Sequence, residues 1–184
     1  MNERRFGGQI ERLRLPDRVA RLEVERVVDL SLEGLTAHSI LDVGTGSGLF
    51  AEAFAARGLS VAGIDLRDDM LAAAREYVPS GDFRQSPMES LPFGDARFDL
   101  VFMGLVLHET DDLAKAFGEA CRVARQRLTI LEWNYEVSDF GPPIDHRLRP
   151  VQVFDGARAA GFHHVESIAL KHLTLYRAGK SAAS

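Results

Sequence analysis

ILDVGTGSG, residues 40–48, is the stretch on which the reading of this 184-residue chain turns. Ile40 to Val43 is a short, largely aliphatic run suited to a buried strand, and it stops at three alternating glycines. An amphipathic segment from Leu49 to Ala56 follows directly. Strand, tight turn and helix in that order make a lip where a ligand can lie against bare backbone and the N-terminus of a helix. Gly44, Gly46 and Gly48 lack the Cβ atoms that would block it. Thr45 and Ser47 add hydroxyls to the same lip. The spacing is G-x-G-x-G, whereas a G-x-G-x-x-G dinucleotide fingerprint needs glycine at position 49, where the chain has Leu49.

Outward from this turn, strand-like and helix-like patterns alternate. Strands are expected at 39–43, 60–65, 82–85, 98–103, 127–132, 163–170 and 172–176, and helices at 49–57, 68–77, 111–124 and 150–160. Gly58 and Gly161 stand where helix C-caps belong, and Asp111 and Pro150 suit helix starts. Alternation with nearly all-apolar strands, such as LVFMGLVL, predicts an α/β fold: a doubly wound, Rossmann-like, mostly parallel seven-stranded sheet with helices on both faces. The last two strands follow closely, so the final one is expected to be antiparallel, in an edge hairpin. Three regions result: a helical prelude over 1–38 that packs on the domain through Ala20, Val24, Val27 and Val28, a ligand-binding domain over 39–177, and a disordered tail over 178–184.

Composition narrows the function classes. With 46% hydrophobic residues the chain can bury one good core, and a net charge of -5 argues against a broad nucleic-acid footprint. Arg4, Arg5, Arg12, Arg14, Arg18 and Arg21 concentrate near the N-terminus, but Glu3, Glu11, Asp17, Glu23 and Glu25 interleave with them, as on a solvated helix face. No secretory leader and no bilayer-spanning run is visible, and the single Cys121 cannot form an intramolecular disulfide, so a cytoplasmic protein without membrane insertion is expected. The six histidines are scattered, with no metal constellation.

The glycine loop is one of an ordered set of motifs: DVGTGSG, VAGIDL, MESLPF, FDLVFMGLVLHE, GPPIDHRLRP and AAGF. Together, over about residues 40–176, they resemble the class I S-adenosylmethionine-dependent methyltransferases, and within them the type 11, quinone-biosynthesis-like small-molecule branch. The resemblance implies S-adenosylmethionine as methyl donor and S-adenosylhomocysteine as product. It also implies a site at the carboxyl ends of the strands, where open α/β sheets bind ligands. Gly44, Thr45, Gly46, Ser47 and Gly48 would cradle the donor, Asp42 would organise the loop and the donor's amino-acid end, and Asp65, with Leu66 beside it, would accept the ribose hydroxyls. Asp65 could instead cap the helix that follows. Met70 and Met88 would cover the adenine, unless they simply pack in the core, with Glu89 nearby, and Gly104 would let backbone pass close to the methionine part. The residue before Met88 is commonly an aspartate in the family; here it is Pro87, which offers no side-chain acceptor, so weaker or differently supported adenine binding is expected.

For the acceptor, His108 at the end of the fourth strand is the candidate catalytic or contacting residue, because imidazole titrates near neutrality. Glu109 is expected to face solvent. The long connection from Asn134 to Arg149 is expected to bind or cover something: Trp133, Tyr135 and Phe140 could wall an apolar acceptor or pack the loop, and His146 and Arg147 could meet the acceptor's polar groups or simply anchor the loop to the sheet. The resemblance implies a small-molecule acceptor, which with no large cap is either small enough for the domain alone or partly covered by the N-terminal segment or by the second copy of a homodimer. A non-catalytic donor-binding protein and an RNA or protein methyltransferase are the alternatives. A nicotinamide dehydrogenase ranks last, because of Leu49.

Overall fold

A computed structural model describes residues 7–180. The chain enters through helices α1 (Pro16–Leu22) and α2 (Val24–Leu32) and then alternates: β1 (Ser39–Val43), α3 (Leu49–Ala56), β2 (Ser60–Asp65), α4 (Asp68–Tyr77), β3 (Asp82–Gln85) and β4 (Phe98–Gly104). It continues through α5 (Leu113–Val123), β5 (Ala124–Trp133), α6 (Pro150–Ala159), β6 (His164–Ala169) and β7 (Leu173–Gly179). The strands form one sheet in the order β3-β2-β1-β4-β5-β7-β6. Every pairing is parallel except those of β7, which runs antiparallel to both β5 and β6. The strand order reverses between β1 and β4, which opens a crevice at their carboxyl ends.

The apolar strands are buried because both faces of the sheet are covered. Along β4, Leu100 and Phe102 join one core cluster with Val27, Val28 and Phe54, while Val101 and Met103 join a second with Phe117 and Phe162. This is the period-two alternation of a strand between two helical layers. Phe102 is gripped by Phe50 and Phe54, with ring centroids at 4.8 and 5.3 Å.

At the amino ends of the central strands, Asp99 of β4 accepts hydrogen bonds from the backbone N–H groups of His38 (2.9 Å) and Ser39 (3.1 Å) and from the Ser39 hydroxyl (3.0 Å). Arg125 and Gln126 of β5 donate to its other oxygen. Burial by itself would raise the carboxyl's pKa, but the donors outweigh it and hold Asp99 at about 2.

Several boundaries differ from expectation. The prelude is two helices rather than one: Glu23 breaks it at φ 49°, and its carboxylate accepts an Arg26 N–H three residues on (2.8 Å) and the Lys171 N–H (3.0 Å), the latter a tie outside any local helix pattern. The start of α5 shifts by one acid, since Asp112 rather than Asp111 caps it, accepting the Lys115 N–H at 3.0 Å. The last strand runs to Gly179, so residues 178 and 179 of the expected tail are paired in the sheet; residues 181–184 lie outside the described ones, as do Glu3, Arg4 and Arg5. No helix among the described residues is long and apolar enough to cross a membrane.

Candidate functional site

The glycine loop is tied down before any ligand is considered. The Thr45 N–H donates to the Ile64 carbonyl (2.8 Å), the Gly46 N–H to Asp65 Oδ2 (2.9 Å), and the Thr45 hydroxyl to Asp42 Oδ2 (2.8 Å). Two of the three glycines answer to packing. A Cβ on Gly44 would sit 2.3 Å from Val106 Cγ2, and one on Gly48 2.9 Å from Ala74 Cα, where α3 crosses α4. Asp65 reaches both ways, since its Oδ1 accepts the Arg67 N–H (2.9 Å) at the start of α4, so the ribose and cap readings of this residue are not exclusive. Burial outweighs these donors and raises its carboxyl above the usual range.

Beside this loop lies a cavity of about 970 Å³ at the carboxyl ends of the strands. Asp42, Gly44, Thr45, Gly46, Ser47, Asp65, Leu66, Met70, Met88, Glu89, Gly104, His108 and Trp133 all border it. Gly48 does not, consistent with its contact on Ala74. Pro87 is exposed and off the wall; Ser86, which no sequence signal marked, borders the cavity instead, with its hydroxyl donated to the Ser90 carbonyl (2.6 Å). Glu89 is held from below by the Thr110 hydroxyl and the Asp111 N–H. The roof comes from the N-terminal segment, including Leu13, Arg18, Arg21 and Leu22, and from Phe140.

Three expected acceptor contacts fall outside the wall. Arg147 is buried and spends its guanidinium on the loop itself, donating to the carbonyls of Pro142, Asn134, Glu136 and Phe140 and to the Ser138 hydroxyl, all within 2.9 Å. Tyr135 lends its hydroxyl oxygen to Arg149 Nε (3.2 Å), and His146 sits half-buried in the turn Ile144–His146. Glu109, expected at the surface, is half-buried at the cavity rim.

At the end of β4 the backbone passes through Leu105 at φ 58°, a left-handed conformation costly for leucine, and then delivers His108. Glu132 at the end of β5 holds it. The His108 backbone N–H donates to Glu132 Oε1 (3.1 Å), and Nδ1 lies 3.1 and 2.9 Å from the two carboxylate oxygens. Both residues are buried, and Nε2 is left as the ring nitrogen available to the cavity. Burial alone would lower the imidazole pKa, but the Glu132 charge and hydrogen bond outweigh it and raise it. Glu132 closes the strand expected at 127–132 and had no role assigned from sequence; a lone acid in the apolar run LTILEW was the available signal.

The cavity suits a ligand with ribosyl, apolar-ring and ammonium parts. Carboxylates line it at Asp42 and Asp65, methionines at 70 and 88, and the buried Ser47 hydroxyl has no partner among the described residues. Burial raises the Asp42 carboxyl to about 7, outweighing the hydrogen bond from Thr45. No group of three His, Cys, Asp or Glu among the described residues is arranged to hold a metal ion.

Comparison with known proteins agrees with this geometry. A methyltransferase-domain family model matches residues 41–129, from β1 into β5. The demethylmenaquinone methyltransferase of Chlorobaculum tepidum is 39% identical over 95 residues, covering 51% of this chain and 39% of the relative. A malonyl-[acyl-carrier protein] O-methyltransferase of Pectobacterium atrosepticum is 34% identical over 94 residues, covering 50% and 37%. The crystal structure of an S-adenosylmethionine-dependent methyltransferase from Aquifex aeolicus superposes with a TM-score of 0.82 at 26% identity, covering 94% of this chain and 97% of that one. The chain belongs to the class I S-adenosylmethionine-dependent methyltransferases. The matched region spans under half the length of either curated relative, and the family match ends before Glu132.

Proposed function

We propose that this protein transfers the methyl group of S-adenosylmethionine to a small-molecule acceptor, with His108 as the proton acceptor and Glu132 holding it. The observation that carries the reading is that one cavity at the β1–β4 switch point has the glycine loop, Asp42 and Asp65 along one part of its wall and His108 and Trp133 along another. When bound, the donor supplies a sulfonium-activated methyl group, so the protein needs only to align the acceptor and exclude water. Asp42, Asp65 and Ser47 are the polar groups for the donor, and Leu66, Met70 and Met88 its apolar walls. The N-terminal segment acts as the roof that excludes water. The Glu132 carboxylate accepts from Nδ1–H of His108, so the neutral ring carries its proton on Nδ1 and presents Nε2 as the base, and the raised pKa makes it a stronger acceptor for a proton from a hydroxyl, amine or activated carbon. The two curated relatives are named for different acceptors, so the acceptor has to be sought from this cavity rather than borrowed.

Calorimetric titration with S-adenosylmethionine, S-adenosylhomocysteine and NAD tests the donor; binding of NAD alone would sink the proposal. A cationic ammonium beside Asp42 favours its ionised form, so both adenosyl ligands should release protons on binding and bind more tightly as pH rises through about 7. Equal apparent enthalpies in buffers of different ionisation enthalpy would remove Asp42 from the donor site.

A further inference from the structure

Every other described arginine that is at least half-buried either pairs with an acid or donates to two or more backbone carbonyls. Arg14 pairs with Glu52, Arg57 with Glu25 and Asp29, Arg67 with Asp69, Arg122 with Glu119 and Asp95, and Arg177 with Glu33 and Glu166. Arg127 and Arg147 donate to several backbone carbonyls. Arg18 and Arg21 break this pattern. Both are half-buried in the cavity roof, and neither forms an ion pair among the described residues. Arg18 makes one hydrogen bond, from Nη1 to the Leu13 carbonyl at 3.1 Å, and Arg21 lies with Cζ 4.3 Å above the Phe140 ring. Burial, and after it the neighbouring Arg21 charge, lowers the Arg18 pKa, and no acidic side chain offsets the two. Asp17 and Asp139 border the same cavity without pairing with either.

Two like charges withdrawn from water without a counter-ion are costly, and an anion placed between them relieves both desolvation and repulsion. The address of Arg21, one turn along α1 from Arg18, says which ligand brings it. Phe140 belongs to the loop after β5 and leans on Trp133 (centroids 6.0 Å), next in sequence to the Glu132 that holds His108. Asp65, Met70 and Met88 belong to the β2–β3 side of the sheet, with β4 and β1 between. We propose that Arg18 and Arg21 form the anion-binding part of the acceptor site, and that the acceptor is a small carboxylate whose apolar or aromatic body lies on Trp133 and Phe140. This rests on the methyl-transfer reading and adds the acceptor class to it. Guanidinium forks match carboxylates bidentately, which would also fix the acceptor's orientation relative to His108.

The test uses the whole chain saturated with S-adenosylhomocysteine, titrated calorimetrically with matched acids and amides: salicylate and salicylamide, 4-hydroxybenzoate and 4-hydroxybenzamide, indole-3-acetate and indole-3-acetamide, hexanoate and hexanamide. At least one acid should bind about tenfold or more tightly than its amide. That preference should vanish in the Arg18→Gln/Arg21→Gln double variant and partly return in Arg18→Lys/Arg21→Lys, with S-adenosylhomocysteine affinity unchanged in both. Acids binding no better than amides throughout the panel, or a preference that survives in the glutamine variant, overturns the proposal. So does a parallel loss of S-adenosylhomocysteine affinity in the variants, which would assign the arginines to the donor. Failure of the unaltered protein to bind S-adenosylhomocysteine would instead count against the methyl-transfer reading beneath it.

Discussion

His108 and Glu132 are separated by 24 positions in sequence and meet through two kinds of contact, backbone N–H and Nδ1, on one carboxylate. In Glu132→Gln the charge disappears while an amide oxygen remains to accept, so the imidazole pKa should fall, as read from an NMR titration of the ring Cε1–H. An unmoved pKa would show that Glu132 does not govern the ring. The sign of the stability effect follows from linkage. The raised folded-state pKa contributes stability that is present below the unfolded value of about 6.5 and is lost as pH rises through the folded value, so the variant's deficit should be largest in acid and shrink with pH. At this scale the sequence was informative wherever a residue's neighbours along the chain explain it, as with Asp65 and the adjoining glycine loop. It was silent on Glu132, whose meaning comes from a strand paired beside it.

Among the elements, α3 and the glycine loop carry the most information per residue. Gly48 stands at φ 76° with Ala74 of α4 where its Cβ would be, so Gly48→Ala combines a left-handed backbone penalty with a clash against backbone. A loss of about 2 kcal/mol or more in denaturant unfolding is expected, together with weaker donor binding as α3 moves the lip. A neutral effect would mean that α3 and α4 can separate freely. The loop after β5 shows the opposite case: its length marked it as functional, yet Arg147 turns inward to knit its carbonyls together while Trp133 and Phe140 border the cavity. Sequence spacing cannot tell an arginine that meets a ligand from one that replaces it with loop carbonyls. The break at Glu23 was hidden for the same reason, since its partner Lys171 lies at the other end of the chain.

For the molecule as a whole, Asp99 binds the start of β1, β4 and β5 at the end of the sheet opposite the cavity, with donors from His38, Ser39, Arg125 and Gln126. Asp99→Asn keeps the shape and loses the charge, and should cost about 2–3 kcal/mol at neutral pH. The depressed pKa contributes stability that is present above the unfolded carboxylate value and is lost as pH falls toward about 2, so the difference between the two proteins should close over that acid range. A pH-independent difference would assign the effect to packing alone. The doubly wound α/β sheet, its antiparallel last strand and the glycine-loop end of the cavity were legible in the sequence, because strand periodicity and turn chemistry are local properties that each segment carries by itself. The His108–Glu132 pair, the inward Arg147 and the uncompensated Arg18 and Arg21 in the roof were decided only by the tertiary structure. Burial and charge compensation depend on which distant side chains fill the same space, and no local pattern encodes that.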